Sequence, residues 1–386
     1  MRYLIIHSRY SRPGGEEQVV AFQCDLLLKA GHQVEVYERD YNEMKGWKFG
    51  KISTFFSSLY NRRSVGDVRR LIRTFSPDVA IVHNLFPVIS PAILSVLRGA
   101  GVRVLMSVHN YRLFCPTGLF YRRGEVCERC AQGCLREFNC FVHRCEGSFF
   151  GSFGYFFRSW WARIFRSYLG NVDLFLAISP FQRDKLVQYG VPSDRVCLLP
   201  NSVSLLGFGS AVADFSGGYV GFVGRLSSEK GVDLLFSVAR SLPEVRFRVA
   251  GDLASNYSLG VAPSNVEFVG FLDRASLGDF YRSAGVIINT SGCYEGLPLS
   301  LLEAMSLGCV VLAQRFGVMT DLLGGGTYGV LVSYGDVSDF CSSITRVLGD
   351  LDFCFRLGRC SRAYVLEHYS SSAYLSLLEG YSRVVD

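Results

Sequence analysis

Short runs of β-branched and aliphatic residues alternate along this chain with longer stretches whose apolar positions recur at helical spacing. Residues 2–7 predict a strand. A glycine pair follows, and 16–29 predicts a helix, with Val19, Val20, Leu26 and Leu27 near helical spacing before a stop at Gly31. A strand over 33–37 comes next, and the rhythm returns with strands at 78–83, 102–107, 174–178 and 196–198 and helical stretches such as 180–189 between several of them. Such alternation predicts a doubly wound parallel sheet. Residues 202–218 are rich in Gly, Ser and Ala without a clear period and predict a connection between domains. The alternation then restarts, with strands at 219–223, 246–250, 266–269, 286–289 and 310–313 and helices at 231–242, 274–282 and 297–307. A second domain of the same class is expected, with no solenoid repeat and no low-complexity tail.

Length and composition agree with two domains. A chain of 386 residues, 49% hydrophobic and 19% charged, is too long for one ordinary core and too apolar for disorder. Its apolar runs, such as 79–82 and 286–288, are strand-sized, so no spanning helix is expected. The first apolar stretch meets Pro13, Gly14 and Gly15 too soon for a secretory leader, and the expectation is a cytoplasmic protein. Charge is divided unevenly: residues 1–200 carry 27 Lys+Arg against 16 Asp+Glu (+11), and residues 201–386 carry 13 against 18 (−5). Either the first half faces an anionic membrane surface, lipid diphosphate or nucleic acid, or it merely has a basic surface.

Two segments of the second domain carry candidate chemistry. Residues 292–298, Gly-Cys-Tyr-Glu-Gly-Leu-Pro, lie between a strand and a helix that Pro298 would open, where free backbone N–H groups make an anion site. That helix has almost no polar face, so Glu303 is either a buried carboxylate in need of partners, such as ligand hydroxyls, or an acid at the solvent edge. Likewise Glu295 is either a ligand contact or only a loop acid. Residues 221–231 follow the domain's first strand and place Arg225 and Lys230 five residues apart, a spacing suited to a diphosphate.

Gly-Arg-Leu-x-x-Glu-Lys-Gly at 224–231, Glu295 and Glu303 eight apart with Ala304 and Met305 following, Gly14 and Gly15 after the first strand, and Pro200 with Asn201 before the connection together resemble glycosyltransferase family 4. The resemblance spans nearly the whole chain and implies the GT-B fold, two Rossmann-like domains facing across a cleft. On that basis residues 1–203 form the acceptor-side domain, 204–365 bind the nucleotide sugar, and 366–386 form a helix crossing back to the first domain. The resemblance further implies that Arg225 and Lys230 hold the donor diphosphate and stabilise the leaving charge. Glu295 then contacts sugar hydroxyls and Glu303 the ribose, with Gly296, Leu297, Pro298 and Leu299 offering backbone groups. Gly15, beside Gly14, approaches the diphosphate, Asn201 belongs to the donor set, and the base rests near Gly251, Asp252 and Phe271. His109 matches a histidine lying beside donor sugar and acceptor; the alternative is a histidine satisfied by strand-end hydrogen bonds. The implied reaction is a retaining transfer of a hexose-type sugar from a nucleotide-diphosphate sugar to a hydroxyl of a glycan or polyprenyl-diphosphate-linked acceptor in cell-surface polysaccharide synthesis, without a catalytic metal.

Between residues 115 and 145 the rhythm breaks, and six of the thirteen cysteines fall there. Clustered thiols in a cytoplasmic chain indicate metal before disulfide. A subset of the family shows a similar cysteine-rich insert, which points to a structural zinc on Cys115, Cys127, Cys130 and Cys145, with Cys134 and Cys140 as substitutes. Free or redox-active thiols are the alternative. Residues 149–168 interleave aromatics with Arg158, Arg163 and Arg166, and 45–63 is a second basic and aromatic stretch. Both either touch a bilayer or polyprenyl carrier, as a peripheral protein on the inner membrane face would, or pack on the sheet. The apolar face of the last helix, 371–385, is assigned to packing. Competing functions are another GT-B enzyme, an epimerase or phosphorylase, or a zinc-containing nucleic-acid binder. The scatter of basic residues and the lack of a recognised motif speak against nucleic acid.

Overall fold

The computed structural model describes residues 1–9, 14–46, 50–203, 208, 212–254 and 257–383. The chain divides into two compact units. One comprises residues 1–120, 127–201 and 374–386, the other 121–126 and 202–373.

In the first unit β1 (Arg2–Arg9), β2 (Gln33–Asp40), β3 (Val79–Val82) and β4 (Arg103–Val108) precede a two-stranded antiparallel hairpin, β5 (Tyr121–Arg122) and β6 (Glu125–Val126), which clusters with the second unit. The first unit's sheet is completed by β7 (Leu174–Ala177) and β8 (Val196–Leu198), in the all-parallel order β2-β1-β3-β4-β7-β8. Side-chain alternation divides its core. Leu4 and Ile6 join Ala80, Val82, Val104 and Met106 on one face, and Tyr3 and Ile5 join Val79, Ile81 and Leu105 on the other. Both faces are covered, which is why these strands read as unbroken apolar runs. Tyr374 and Leu378 of the helix Ser371–Ser382 belong to the second of these clusters, so the chain's end covers the first sheet.

The second unit repeats the architecture with β9 (Tyr219–Val223), β10 (Phe247–Ala250), β11 (Val266–Gly270), β12 (Ala284–Asn289), β13 (Val311–Gln314) and β14 (Val330–Val332), ordered β11-β10-β9-β12-β13-β14 and again all parallel. Strand order reverses between β9 and β12, where an open α/β sheet leaves a crevice beyond the strands' carboxyl ends.

Several boundaries differ from the sequence expectation. The helix expected over 297–307 spans Leu299–Ser306, and Pro298 caps it with ψ 104°, still extended, instead of occupying its first turn. The aromatic stretch is helical over Phe149–Ile164. Strand β14 and the helices Arg62–Phe75, Val337–Leu348 and Leu351–His368 were not among the expected elements, although Val65, Val68, Leu71 and Ile72 recur at helical spacing in the first helix and Val337, Phe340, Ile344 and Val347 in the second. Of the expected connection 202–218, residues 204–207 and 209–211 lie outside the described residues. Among the described residues no helix is long and apolar enough to cross a membrane.

Candidate functional site

The loops that leave β9 and β12 flank the reversal point of the second sheet, and they contain residues 224–231 and 290–298. Their close approach is built from backbone. Gly231 has φ 72°, and a Cβ there would stand 1.8 Å from the Thr290 carbonyl oxygen, so only glycine lets the first loop lie against the second. Thr290 Oγ1 donates to the Lys230 carbonyl at 2.9 Å, and the Gly292 amide to that of Glu229 at 3.0 Å. Gly251 serves similarly at the end of β10, where a Cβ would meet the Gly224 carbonyl at 2.0 Å.

Seaming the loops brings together Lys230 and Glu295, which are 65 residues apart in sequence. Lys230 Nζ donates to Glu295 Oε1 at 2.5 Å, and Ser291 Oγ donates to the same oxygen at 2.5 Å. Burial pushes the Glu295 carboxyl up, but the Lys230 charge and the two hydrogen bonds outweigh it and hold the group below the usual carboxylate value. Burial also opposes the Lys230 charge, and Glu295 more than restores it. Both groups are therefore charged at neutral pH. Arg225 is over half exposed at the rim, paired with Glu229 at 2.7 Å. The arrangement is a fixed ion pair with an exposed cation beside it, at the place where the topology leaves room for a ligand.

Glu303 is 9% exposed on the buried face of its helix, so it is no solvent-edge acid. Tyr281 Oη donates to its Oε2 at 3.2 Å and Arg274 Nη1 reaches its Oε1 at 3.5 Å. Burial dominates and raises its pKa despite Arg274 and Tyr281. Such a carboxylate gains from further donors, and ligand hydroxyls are a matching set. Sequence reasoning did not find Arg274, Tyr281 or Ser291. The i, i+7 spacing of Arg274 and Tyr281, two turns apart on the helix Arg274–Ser283, and the i, i+4 spacing of Ser291 and Glu295 were the available signals. Leu297 and Pro298 are buried, Gly296 and Leu299 half-buried, and Phe271 is 76% exposed after β11. Tyr121 of the hairpin donates to the Ser228 carbonyl at 3.1 Å, beside Lys230.

His109, Gly14, Gly15 and Asn201 belong to the first unit. Gly14 precedes the helix Gly15–Lys29 and its amide donates to Glu17 at 2.7 Å, while Asn201 is buried beyond β8. His109 follows β4 and stacks on His83, which follows β3, with ring planes 9° apart. His83 Nδ1 lies 2.8 Å from His109 Nε2, and His83 Nε2 lies 2.9 Å from Gln23 Oε1. Gln23 Nε2 in turn donates to Tyr374 Oη at 2.7 Å. Because Gln23 Oε1 only accepts, His83 Nε2 donates and its Nδ1 accepts from His109 Nε2–H. Burial lowers the pKa of both histidines, so His109 is neutral at pH 7 with its Nδ1 left as acceptor.

None of the cysteines in the described residues forms a disulfide. Burial and the neighbouring thiols of Cys115, Cys145 and Cys127 raise the pKa of Cys130, and Cys140 is raised most of all, through its hydrogen bond with Cys145. The five thiols are thus close, although among the described residues no group of three or more His, Cys, Asp or Glu side chains is placed to hold a metal ion.

The family model described as Glycosyltransferase Family 4 matches residues 13–205, and that described as Glycosyl transferases group 1 matches 217–350. An uncharacterized 42.6 kDa protein in the cps region of Klebsiella pneumoniae is 25% identical over 83% of this chain and 87% of its own length. A phosphatidylinositol N-acetylglucosaminyltransferase component from Arabidopsis thaliana is 22% identical over 88% of this chain and 72% of its own. Among solved structures, sucrose-phosphate synthase from Thermosynechococcus elongatus superposes with a TM-score of 0.74 at 17% identity, covering 98% of each chain. Anabaena HepE in complex with UDP-glucose superposes with a TM-score of 0.68 at 17% identity, covering 100% of each chain, which shows the GT-B fold. The two family matches together span both units, and the chain belongs to glycosyltransferase family 4, an enzyme of the GT-B type.

Proposed function

We propose that this glycosyltransferase moves a hexose-type sugar, with retention, from a nucleotide-diphosphate sugar to a hydroxyl of a glycan or lipid-linked acceptor in cell-surface polysaccharide synthesis. The observation that carries it is the Lys230–Glu295 pair, seamed at the reversal point of the second sheet with Arg225 at its rim and Glu303 buried on the helix that follows the second loop. Similarity to HepE, solved with UDP-glucose, and to a protein of a cps region supports the donor class and the pathway type.

In this proposal Arg225 and Lys230 neutralise the donor diphosphate, and Glu303 accepts hydrogen bonds from the ribose. Glu295, held charged by Lys230, accepts from sugar hydroxyls. The acceptor oxygen attacks the anomeric carbon from the face that the leaving group vacates. The bond from that carbon to the phosphate oxygen breaks, and the acceptor proton passes to the departing phosphate. Lys230 and Arg225 stabilise the charge as it develops, which is where preorganised cations act most strongly. Neutral His109, with its proton held on Nε2, offers Nδ1 as an acceptor to a sugar hydroxyl. Gly14, Gly15, Asn201, Gly251 and Phe271 complete the donor set, and the backbone at Gly296, Leu297, Pro298 and Leu299 touches the sugar or phosphate.

The proposal includes a structural zinc on Cys115, Cys127, Cys130 and Cys145, resting on the soft-donor character of these thiols; as among the described residues no three such groups are placed to hold a metal ion, binding would require their side chains to rearrange, and the metal would take no part in the transfer. It also includes peripheral contact with the inner face of the membrane. Phe150 is 83% exposed, and Phe149, Phe153 and Trp161 of the same helix and Phe165 just beyond it are exposed on the same face.

Thermal-shift measurement against a panel of nucleotide sugars tests the donor assignment. UDP or another nucleotide diphosphate should raise the wild-type melting temperature, and Glu303→Ala and Arg225→Ala should abolish that rise. Unchanged shifts in both variants would reject it.

A further inference from the structure

The first unit contains a cavity of 310 Å³ behind His109, between the ends of β3 and β4, the cysteine-rich segment and the helix Phe149–Ile164. Its lining carries five guanidinium groups, Arg112, Arg136, Arg158, Arg163 and Arg166, against the carboxylate of Glu137, and Arg163 already holds Glu137 at 2.7 Å.

Arg158 is the unusual member. It is 9% exposed, stands with its guanidinium carbon 3.9 Å from the Phe86 ring centroid, and donates from Nη2 to the Pro116 carbonyl at 3.0 Å. Its Nη1 has no hydrogen-bond partner, and among the described residues no carboxylate lies within ion-pair distance of it. Glu146 acts on it only through space. The next residue, Ser159, also lines the cavity, and its buried Oγ has no partner either. Two adjacent donors on one helix turn, one of them cationic, are thus kept out of water without acceptors. A buried unpaired charge is costly, and proteins that retain one generally supply the counter-charge from a ligand. The planar guanidinium matches a phosphate or carboxylate in shape as well as charge. The opposite face of the same helix presents the exposed aromatics, so a single helix both lines the cavity and forms that patch.

We propose that this cavity binds an oxyanion, a phosphate or carboxylate group carried by the acceptor, with Arg158 and Ser159 as its donors. The inference rests on the transferase assignment in calling the ligand the acceptor, while the anion site itself does not depend on it. Pyrophosphate and glucuronate are the probes, titrated by calorimetry into protein already saturated with UDP so that the donor loops are occupied. At least one probe should bind, and preference between them separates a phosphorylated acceptor from an acidic sugar. Arg158→Met should weaken that binding by about tenfold or more, the scale of one charged hydrogen bond. Ser159→Ala should weaken it several-fold, and because it deletes an unsatisfied hydroxyl it should fold as well as the wild type even if Arg158→Met does not. Arg225→Ala should lose UDP binding and keep the probe site, so a failed donor assignment and a failed cavity assignment give different patterns. Binding of neither probe, or binding unchanged in both cavity variants, would overturn the proposal.

Discussion

Glu295 and Glu303 are eight residues apart and chemically identical, yet the fold sets them in opposite states. Glu295 has a lysine and a hydroxyl on one oxygen and is held ionised; Glu303 is desolvated with weaker help from Arg274 and Tyr281, and its pKa rises. The consequence for stability has opposite sign in the two cases. A depressed carboxyl contributes stability that is lost as pH falls through its folded value, whereas a raised one favours the protonated form and costs stability as pH climbs above the ordinary value of 4.5. Glu303→Gln keeps the shape and an acceptor for Tyr281 while removing the charge. It should therefore stabilise the unliganded protein at pH 8 by on the order of 1 kcal/mol, with the gain vanishing near pH 4, and should lose nucleotide binding. Chemical denaturation at the two pH values measures the first effect and calorimetry the second. A variant no more stable at pH 8 than at pH 4, relative to wild type, would show that Glu303 is not strained.

Among the elements, the helix Ser371–Ser382 touches several parts of the first unit. Leu378 and Tyr374 complete the apolar face of the first sheet, Glu379 meets His32 at 2.9 Å, and Tyr374 anchors the hydrogen-bond chain that ends at His109. Leu378 is fully buried, so Leu378→Ala should cost about 2–5 kcal/mol in urea unfolding, with the spread set by how far the cavity can collapse. A cost below about 1 kcal/mol would mean that the helix is not integral to the first core. At this scale much was legible in the chain. Strands β8 and β9 fall where the pattern puts them, and most of the others within one to three residues, because strands buried on both faces must be apolar throughout. Pro298 was misplaced by one position, since proline is compatible with both a cap and a first turn. The helix Val337–Leu348 was legible, since Val337, Phe340, Ile344 and Val347 recur at helical spacing, but it was not anticipated; Leu351–His368 buries Cys354, Gly358 and Ser361, small residues that leave little apolar signal.

For the whole molecule the relevant quantity is the charge asymmetry, +11 in the first 200 residues against −5 in the remainder, together with the exposed aromatics of the helix Phe149–Ile164. Co-sedimentation with vesicles containing an anionic lipid should show binding that falls as salt rises from about 0.1 to about 0.5 M, because the Debye length shrinks below the charge spacing. Phe150→Ser should weaken it further at every salt concentration, and binding indifferent to both would remove the membrane from the proposal. The alternation of apolar runs and helical stretches determined, without any coordinates, that this chain forms two parallel-sheet units, because local periodicity dictates which face of each element avoids water. The motifs at 224–231 and 295–303 likewise identified the family. What tertiary structure alone decided is which groups meet. Lys230 finds Glu295 only because strand order reverses between β9 and β12, Gln23 finds Tyr374 across 351 residues, and Arg158 is left buried without a carboxylate. Those pairings depend on chain topology and packing, which no local pattern encodes.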